Sequence, residues 1–407
     1  MPSLHRRAAL GLLVAGGVAG CTDRLSLASG DDEDISPADR TISPPEPGGG
    51  EWIRSTRSVA NDTVAPAAAP PREDPEERWR ATDLDASVSV VVADGTVFAG
   101  SRDVVQAHRL EDGDRLWTDD EGGVDITVVD GRCYTFGSGT IVARDAETGE
   151  EHWRHESAGD LGARDLVEFD GTVYYTTDGD LYGLHADTGD HRWTVEGEHY
   201  QSYLAIDDDE LHWALSESYR VLEPNGPMRP EERTVVSFDN DVPSHPSPPA
   251  VVDETIGLGA WRSRVTDGPA SIRTLSIRGT VWQRPFEPAV PTPAILEDRL
   301  LVTGYDNSTR SLDEATVAAL DRETGDPIWE ETVSEPVGPA AVADGVCYVG
   351  GGHPGESVDT GRLFALEVET GELLWDRETD GASAAHPLAL VDDAVVLGTR
   401  EGVVVLE

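Results

Sequence analysis

One phrase recurs along the chain and fixes what it can fold into: an acidic residue, Thr and Gly, with a Trp four residues beyond the Gly. It stands as Glu147-Thr148-Gly149 with Trp153, Asp187-Thr188-Gly189 with Trp193, Glu323-Thr324-Gly325 with Trp329, and Glu369-Thr370-Gly371 with Trp375. A looser copy is Asp112-Gly113 with Trp117. Self-similarity at roughly 36 to 48 residues, with strand–turn–strand units in each period, marks a radial β array. A single unit cannot bury both its faces, so the copies must stack on one another.

Each copy holds four strands. The first is an apolar run ending in an Asp turn, as in Val90-Val91-Val92-Ala93-Asp94-Gly95 or Ala341-Val342-Ala343-Asp344-Gly345. Asp-Gly between apolar runs signals a tight hairpin, because both central residues of a type I′ turn need positive φ. A returning strand follows (Thr96-Val97-Phe98-Ala99), then one running into the Thr-Gly turn (Leu363-Phe364-Ala365-Leu366), then the Trp strand. The second position after each Asp turn gives a ruler: Val97, Cys133, Val173, Leu211, Ile256, Leu301, Cys347 and Val395. All are apolar, as a position wedged between sheets requires.

The Trp register gives a second count: Trp79, Trp117, Trp153, Trp193, a degenerate Met228-Arg229-Pro230, Trp282, Trp329 and Trp375. After Trp375 only three strands remain, and the missing one lies at the other end, around Arg78-Trp79-Arg80. The expected fold is all-β: an eight-bladed propeller of four-stranded antiparallel blades over residues 51–407, closed by its N-terminal strand, which removes two open edges. The phrase is lost in blades four and five, so insertions are expected in loops on one rim.

Residues 1–20 have the form of an export signal, with Arg6 and Arg7 before a short apolar body. The Arg pair points to the twin-arginine route. Val18-Ala19-Gly20-Cys21 resembles a lipobox, which makes Cys21 the lipidated first residue of the mature chain. Residues 21–50, rich in Asp, Glu, Ser, Pro and Gly, have little to bury and are expected to form a disordered tether. The protein is thus expected to be exported and lipid-anchored to the outer face of the cell membrane.

The chain carries 78 acidic against 31 basic residues, and every basic one is Arg. Loss of Arg6 and Arg7 takes the net charge from −47 to −49. Such self-repulsion strains a compact state in dilute buffer, whereas at molar salt the Debye length falls to about 3 Å. The composition looks like that of a halophilic archaeal protein. Acid spread over every blade argues against a nucleic-acid partner, which needs a basic face. Cys133 and Cys347 occupy one blade position in non-adjacent blades and read as core residues. No metal-spaced His pair or Ser elbow occurs. Asp207-Asp208-Asp209-Glu210 could hold a cation but reads as a solvated turn.

The repeat over residues 51–407 resembles that of the pyrroloquinoline-quinone-like propellers, and the Trp52–Pro71 stretch, with Arg54, Arg57, Asn61 and Pro66, is similar to that family's N-terminal lead-in. One branch of the family comprises quinoprotein alcohol and sugar dehydrogenases. The resemblance implies for these a quinone in the central funnel, Ca²⁺ on carboxylate and amide oxygens, an Asp base, and often a disulfide of adjacent Cys. This chain has no Lys, no adjacent Cys pair and no Cys-x-x-Cys-His motif. The other branch is non-catalytic and includes a lipoprotein of bacterial outer-membrane assembly. The expected function is a tethered, monomeric binding or scaffold module with no cofactor. Its partner would bind at the rim of blades four to six, near Trp261 and Pro285–Pro293. The alternatives are a quinone- and Ca²⁺-dependent dehydrogenase and an outer-membrane assembly factor.

Overall fold

Apolar strands joined by tight Asp turns pair only with their neighbours, and the computed structural model arranges them as eight antiparallel sheets. It describes residues 51–54, 58, 61–82, 84 and 89–407, apart from 138, 159–164, 199–201, 208, 226–227, 239–244, 262–270, 277–278, 287–291, 305–313, 336, 353–359, 381–387 and 400–401. Cys21, Arg6, Arg7 and the tether lie outside the described residues. Ile42–Glu407 forms one unit.

Blade one is Ser89–Ala93, Thr96–Gly100, Val105–Arg109 and Arg115–Asp119, in that spatial order. Blades two, three, four, six and seven repeat the meander, beginning at Asp125, Asp165, Tyr203, Ala294 and Ala341. In blade five the first position is shared by His245–Pro246 and Ala250–Val252, both paired with Thr255–Trp261. Blade eight takes three strands from the C-terminus and its outer strand, Glu77–Ala81, from the N-terminus. That strand pairs antiparallel with Val403–Leu406, setting Trp79 opposite Val405. Inner strands of blades eight, one and two touch in sequence, as do those of seven and eight, which closes the ring.

The local chemistry follows the expected rules. Asp94, Asp130, Asp170 and Asp344 sit at φ of 45° to 49°, each followed by a positive-φ Gly, as type I′ turns require. The ruler positions are at most 1 % exposed. One of them moves: in blade six Leu300, facing Ile295, is the equivalent of Val97 facing Val92, and Leu301 lies one residue on. Cys133 and Cys347 are buried and unpaired, as core residues should be.

The Trp register also needs one correction. In blade one Trp117 faces Ala107, which faces Phe98; the same path through blade four runs from His212 to Val221 to Thr234. Met228–Pro230 therefore is not the Trp equivalent. Blade four's last hairpin is extended, Ser218–Asn225 against Met228–Ser237, so its turn lies beyond the usual place and the register slides. Among the described residues no helix is long and apolar enough to cross a membrane.

Candidate functional site

Two sets of residues carry information beyond packing within a sheet: the seams between blades and the ring axis. At a regular seam the Trp of one blade donates its indole N–H to a main-chain carbonyl in the next blade's turn. Trp79 bonds Leu110, Trp117 bonds Ala146, Trp153 bonds Ala186, Trp282 bonds Arg322 and Trp329 bonds Val368, at 2.7 to 2.9 Å. The turn Gly of that next blade lies against the same ring. A Cβ on Gly113, Gly149, Gly189, Gly325 or Gly371 would come 2.5 to 2.8 Å from the indole of Trp79, Trp117, Trp153, Trp282 or Trp329. The repeated phrase is thus an inter-blade joint, its Gly and its Trp serving opposite seams.

The joint is missing wherever one half is missing. Trp193 is buried, yet its Nε1 has no partner among the described residues, and the same holds for Trp375. Trp193 faces blade four, which has no Thr-Gly turn. Trp375 faces blade eight, where Glu76 and Glu407 pair in place of a turn. Between blades four and five there is no Trp to dock.

The axis holds what the sequence did not predict. Strands pair through their edges, so the inward edge of each first strand is free, and the lead-in uses these edges. Trp52 exchanges main-chain bonds with Val92 of blade one, and the Val128 amide of blade two donates to Ile53. Thr63 and Ala65 bracket Val342 of blade seven, and the Ala69 amide donates to Asp392 of blade eight. The segment therefore crosses the ring interior rather than lying along its outside. Trp52, Arg54, Asn61, Thr63 and Ala65 are all at most 2 % exposed.

Arg54 anchors this crossing. Its guanidinium pairs with Asp165, the first residue of blade three, and donates to Asn61 Oδ1 at 2.9 Å. Asn61 donates in turn to the carbonyls of Leu204 and Pro249, and the Leu204 amide donates to Asp165. Asp125, the first residue of blade two, lies near this pair. Burial, reinforced by the Asp165 charge and opposed by Arg54, pushes its carboxyl up to about 7. Asp125 as a whole residue is half-buried rather than fully enclosed.

The family resemblance makes a quinone and Ca²⁺ the groups to test against this axis, and the donors present do not fit them. Asp165 and Asn61 are committed to Arg54 and main-chain groups, the lead-in backbone lies across the inner strands, and the Cys residues are in the seams. Among the described residues no three His, Cys, Asp or Glu side chains are grouped to hold a metal ion. Elsewhere, a cleft of about 620 Å³ opens between blades eight and one beside the closing strand. Its Arg78 is already paired with Asp393 and Glu407, and its Arg109 with Asp112 and Asp114. Of the expected rim residues, Trp261 ends a blade-five strand whose backbone pairs with His245; Arg262–Ala270 and most of the Pro285–Pro293 stretch fall outside the described residues.

Ring closure, meander and repeat define the chain as a β-propeller of the quinoprotein type. A family model described as outer membrane protein assembly factor BamB matches residues 101–207 and 250–407, more than half of the chain, and the protein belongs to that family. The unmatched interval between them falls on blade four, whose joint is lost. No curated protein matches the chain significantly. Among solved structures it is similar to a quinohemoprotein alcohol dehydrogenase from Comamonas testosteroni, at 14 % identity and a TM-score of 0.69, covering 88 % of this chain and 80 % of that one. BamB from Moraxella catarrhalis gives 18 % identity, a TM-score of 0.61, and coverage of 82 % and 99 %. A computationally designed protein, Ika8, gives 17 %, 0.64, and 81 % and 99 %. At these identities the likeness shows the fold alone.

Proposed function

We propose that this propeller is a membrane-tethered extracellular binding or scaffold module that performs no chemistry at its axis. The observation that carries the reading is the lead-in across the ring interior, whose Arg54–Asp165–Asn61 network commits these axial polar groups to one another and to the backbone. A fold does not confer its relatives' activity. What remains to distinguish this chain is its rim, and blades four and five depart most from the repeat. The Cys21 lipobox, the acidic tether and the Lys-free composition support an outer-face lipoprotein of a halophilic archaeon. The net charge disfavours nucleic acid, and the propeller acts as a monomer.

Affinity purification from membranes at native salt tests this reading. Wild type should retain specific partners, Cys21→Ser should release the protein into the medium, and deletion of residues 262–270 should remove the partners. Unchanged partners after the deletion would reject that rim as the contact surface. Dye-linked alcohol oxidation after incubation with quinone and Ca²⁺ would instead establish the dehydrogenase reading.

A further inference from the structure

Where the joint is lost, buried polar atoms are left over. Of the twenty-one buried side-chain polar atoms without a hydrogen-bond partner among the described residues, nine belong to blades four and five or the residue leading into them. Arg273 supplies two of these, Nε and Nη2, on a side chain only 2 % exposed. A buried cation without a counter-charge is a costly arrangement for a fold to keep. It points to a group that completes it.

The geometry around Arg273 is specific. It lies on the third strand of blade five, Ser271–Ser276, opposite Leu258. Leu258 and Leu275 pack with Tyr219 and Val221 of blade four, so this face of the strand looks into the four–five seam. The guanidinium carbon sits over the Phe238 ring, 4.5 Å from its centroid, and Phe238 immediately follows blade four's outer strand. With the ring covering one face of the guanidinium, recognition is left to its edge. Nε and Nη2 form the side-on edge, whose parallel N–H bonds match two oxygens of one oxyanion. Two residues earlier, on the same strand face, the Ser271 hydroxyl is also buried without a partner. Burial pulls the Arg273 guanidinium down to about 10, which leaves it charged at neutral pH.

We propose that the Nε–Nη2 edge of Arg273, with the Ser271 hydroxyl beside it at the seam of blades four and five, receives the carboxylate of a ligand with an apolar body. One fork and one hydroxyl suit a singly charged planar anion. A phosphate dianion would meet the same few donors within a chain of net charge −47. Leu258, opposite Arg273, and the Phe238 ring make the surroundings of this edge apolar, which matches a ligand with an apolar body. The assignment deepens the rim-binding reading by naming the chemistry one of its seams would accept.

The test titrates full-length protein with benzoate or inorganic phosphate in molar sodium chloride, so that a simple halide site is already filled. Calorimetry gives affinity and thermal unfolding gives stabilisation. Benzoate should bind wild type saturably, at least tenfold more tightly than phosphate, and raise its Tm. Arg273→Met should abolish that binding yet unfold at a higher temperature than ligand-free wild type, because the unpaired charge is gone. Arg273→Lys, which keeps charge but lacks the fork, should lose at least tenfold in affinity. Benzoate binding that survives Arg273→Met overturns the proposal. So does phosphate binding as tight as benzoate, or a wild type that ignores benzoate while Arg273→Met only destabilises. Benzoate binding in a protein that captures no membrane partner would uphold the Arg273 assignment while ending the rim reading.

Discussion

The seam between blades two and three and the seam between blades three and four begin from nearly the same outer strand and end differently. Trp153 reaches the Ala186 carbonyl and lies under Gly189. Trp193, equally buried and tilted against Tyr174 at 5.6 Å as Trp153 is against Tyr134 at 6.0 Å, finds no acceptor among the described residues. What differs is the next blade's turn. The Trp supplies burial in both cases; the Gly turn converts burial into a joint. The contrast separates what holds a blade together from what holds blades to each other.

Removing the ring breaks the comparison most severely. Trp153→Ala should cost about 3–5 kcal/mol by cavity formation, whereas Thr234→Ala, at the same register in blade four, should stay within about 0.5 kcal/mol. Urea unfolding of the two variants measures both. Next come paired glycines. Gly149 and Gly131 have φ of 74° and 73°, but an added Cβ meets Trp117 only at Gly149 and nothing within 4 Å at Gly131. Gly131→Ala should cost about 1–2 kcal/mol from left-handed backbone alone. Gly149→Ala adds overpacking and should cost about 1–3 kcal/mol more. Equal costs would mean that the Gly–Trp contact contributes nothing to the seam.

The axis and the seam of blades two and three each hold a titratable carboxyl, Asp125 beside the Arg54–Asp165 pair and Glu168 by the turns near Asp130 and Gly171. Asp125 and the buried Glu168 are both raised to about 7 by burial, above their unfolded values near 4. A raised carboxyl favours the protonated folded state, so its stabilisation is complete below pH 4 and is lost as pH rises through 7. Tm in high salt should fall between about pH 4 and 7, and Asp125→Asn should flatten that slope by about 1–2 kcal/mol after allowance for its solvent contact. The smallest effect isolates one hydrogen bond. Trp153→Phe should cost about 1 kcal/mol more than Trp193→Phe, since only the first loses an acceptor.

Much of the ring was legible because its signals are local and repeated. Asp-Gly turns set hairpins, the ruler marked the wedge, and the unpaired last sheet called for Trp79. The site was less legible because its parts are distant. Arg54 and Asp165 are 111 residues apart, and nothing in either neighbourhood names the other. Trp52, Arg54 and Asn61 stand in a Pro- and Ala-rich stretch that carries no repeat phrase, so nothing local in it names the inner strands it crosses. The phrase revealed its turn and its Trp without showing that they serve different seams, since that relation crosses from blade to blade. Blade four misled the register because a longer hairpin moves the turn without leaving a mark in spacing.

Native-state hydrogen exchange, followed peptide by peptide through a low-denaturant series at high salt, tests the joint directly. The Ser218–Ser237 hairpin of blade four should lose protection at lower denaturant than the Thr140–Glu156 hairpin of blade two, whose seams on both sides are docked. Equal protection in the two hairpins, or earlier opening of blade two, would show that the Trp–Gly joint does not hold the ring together.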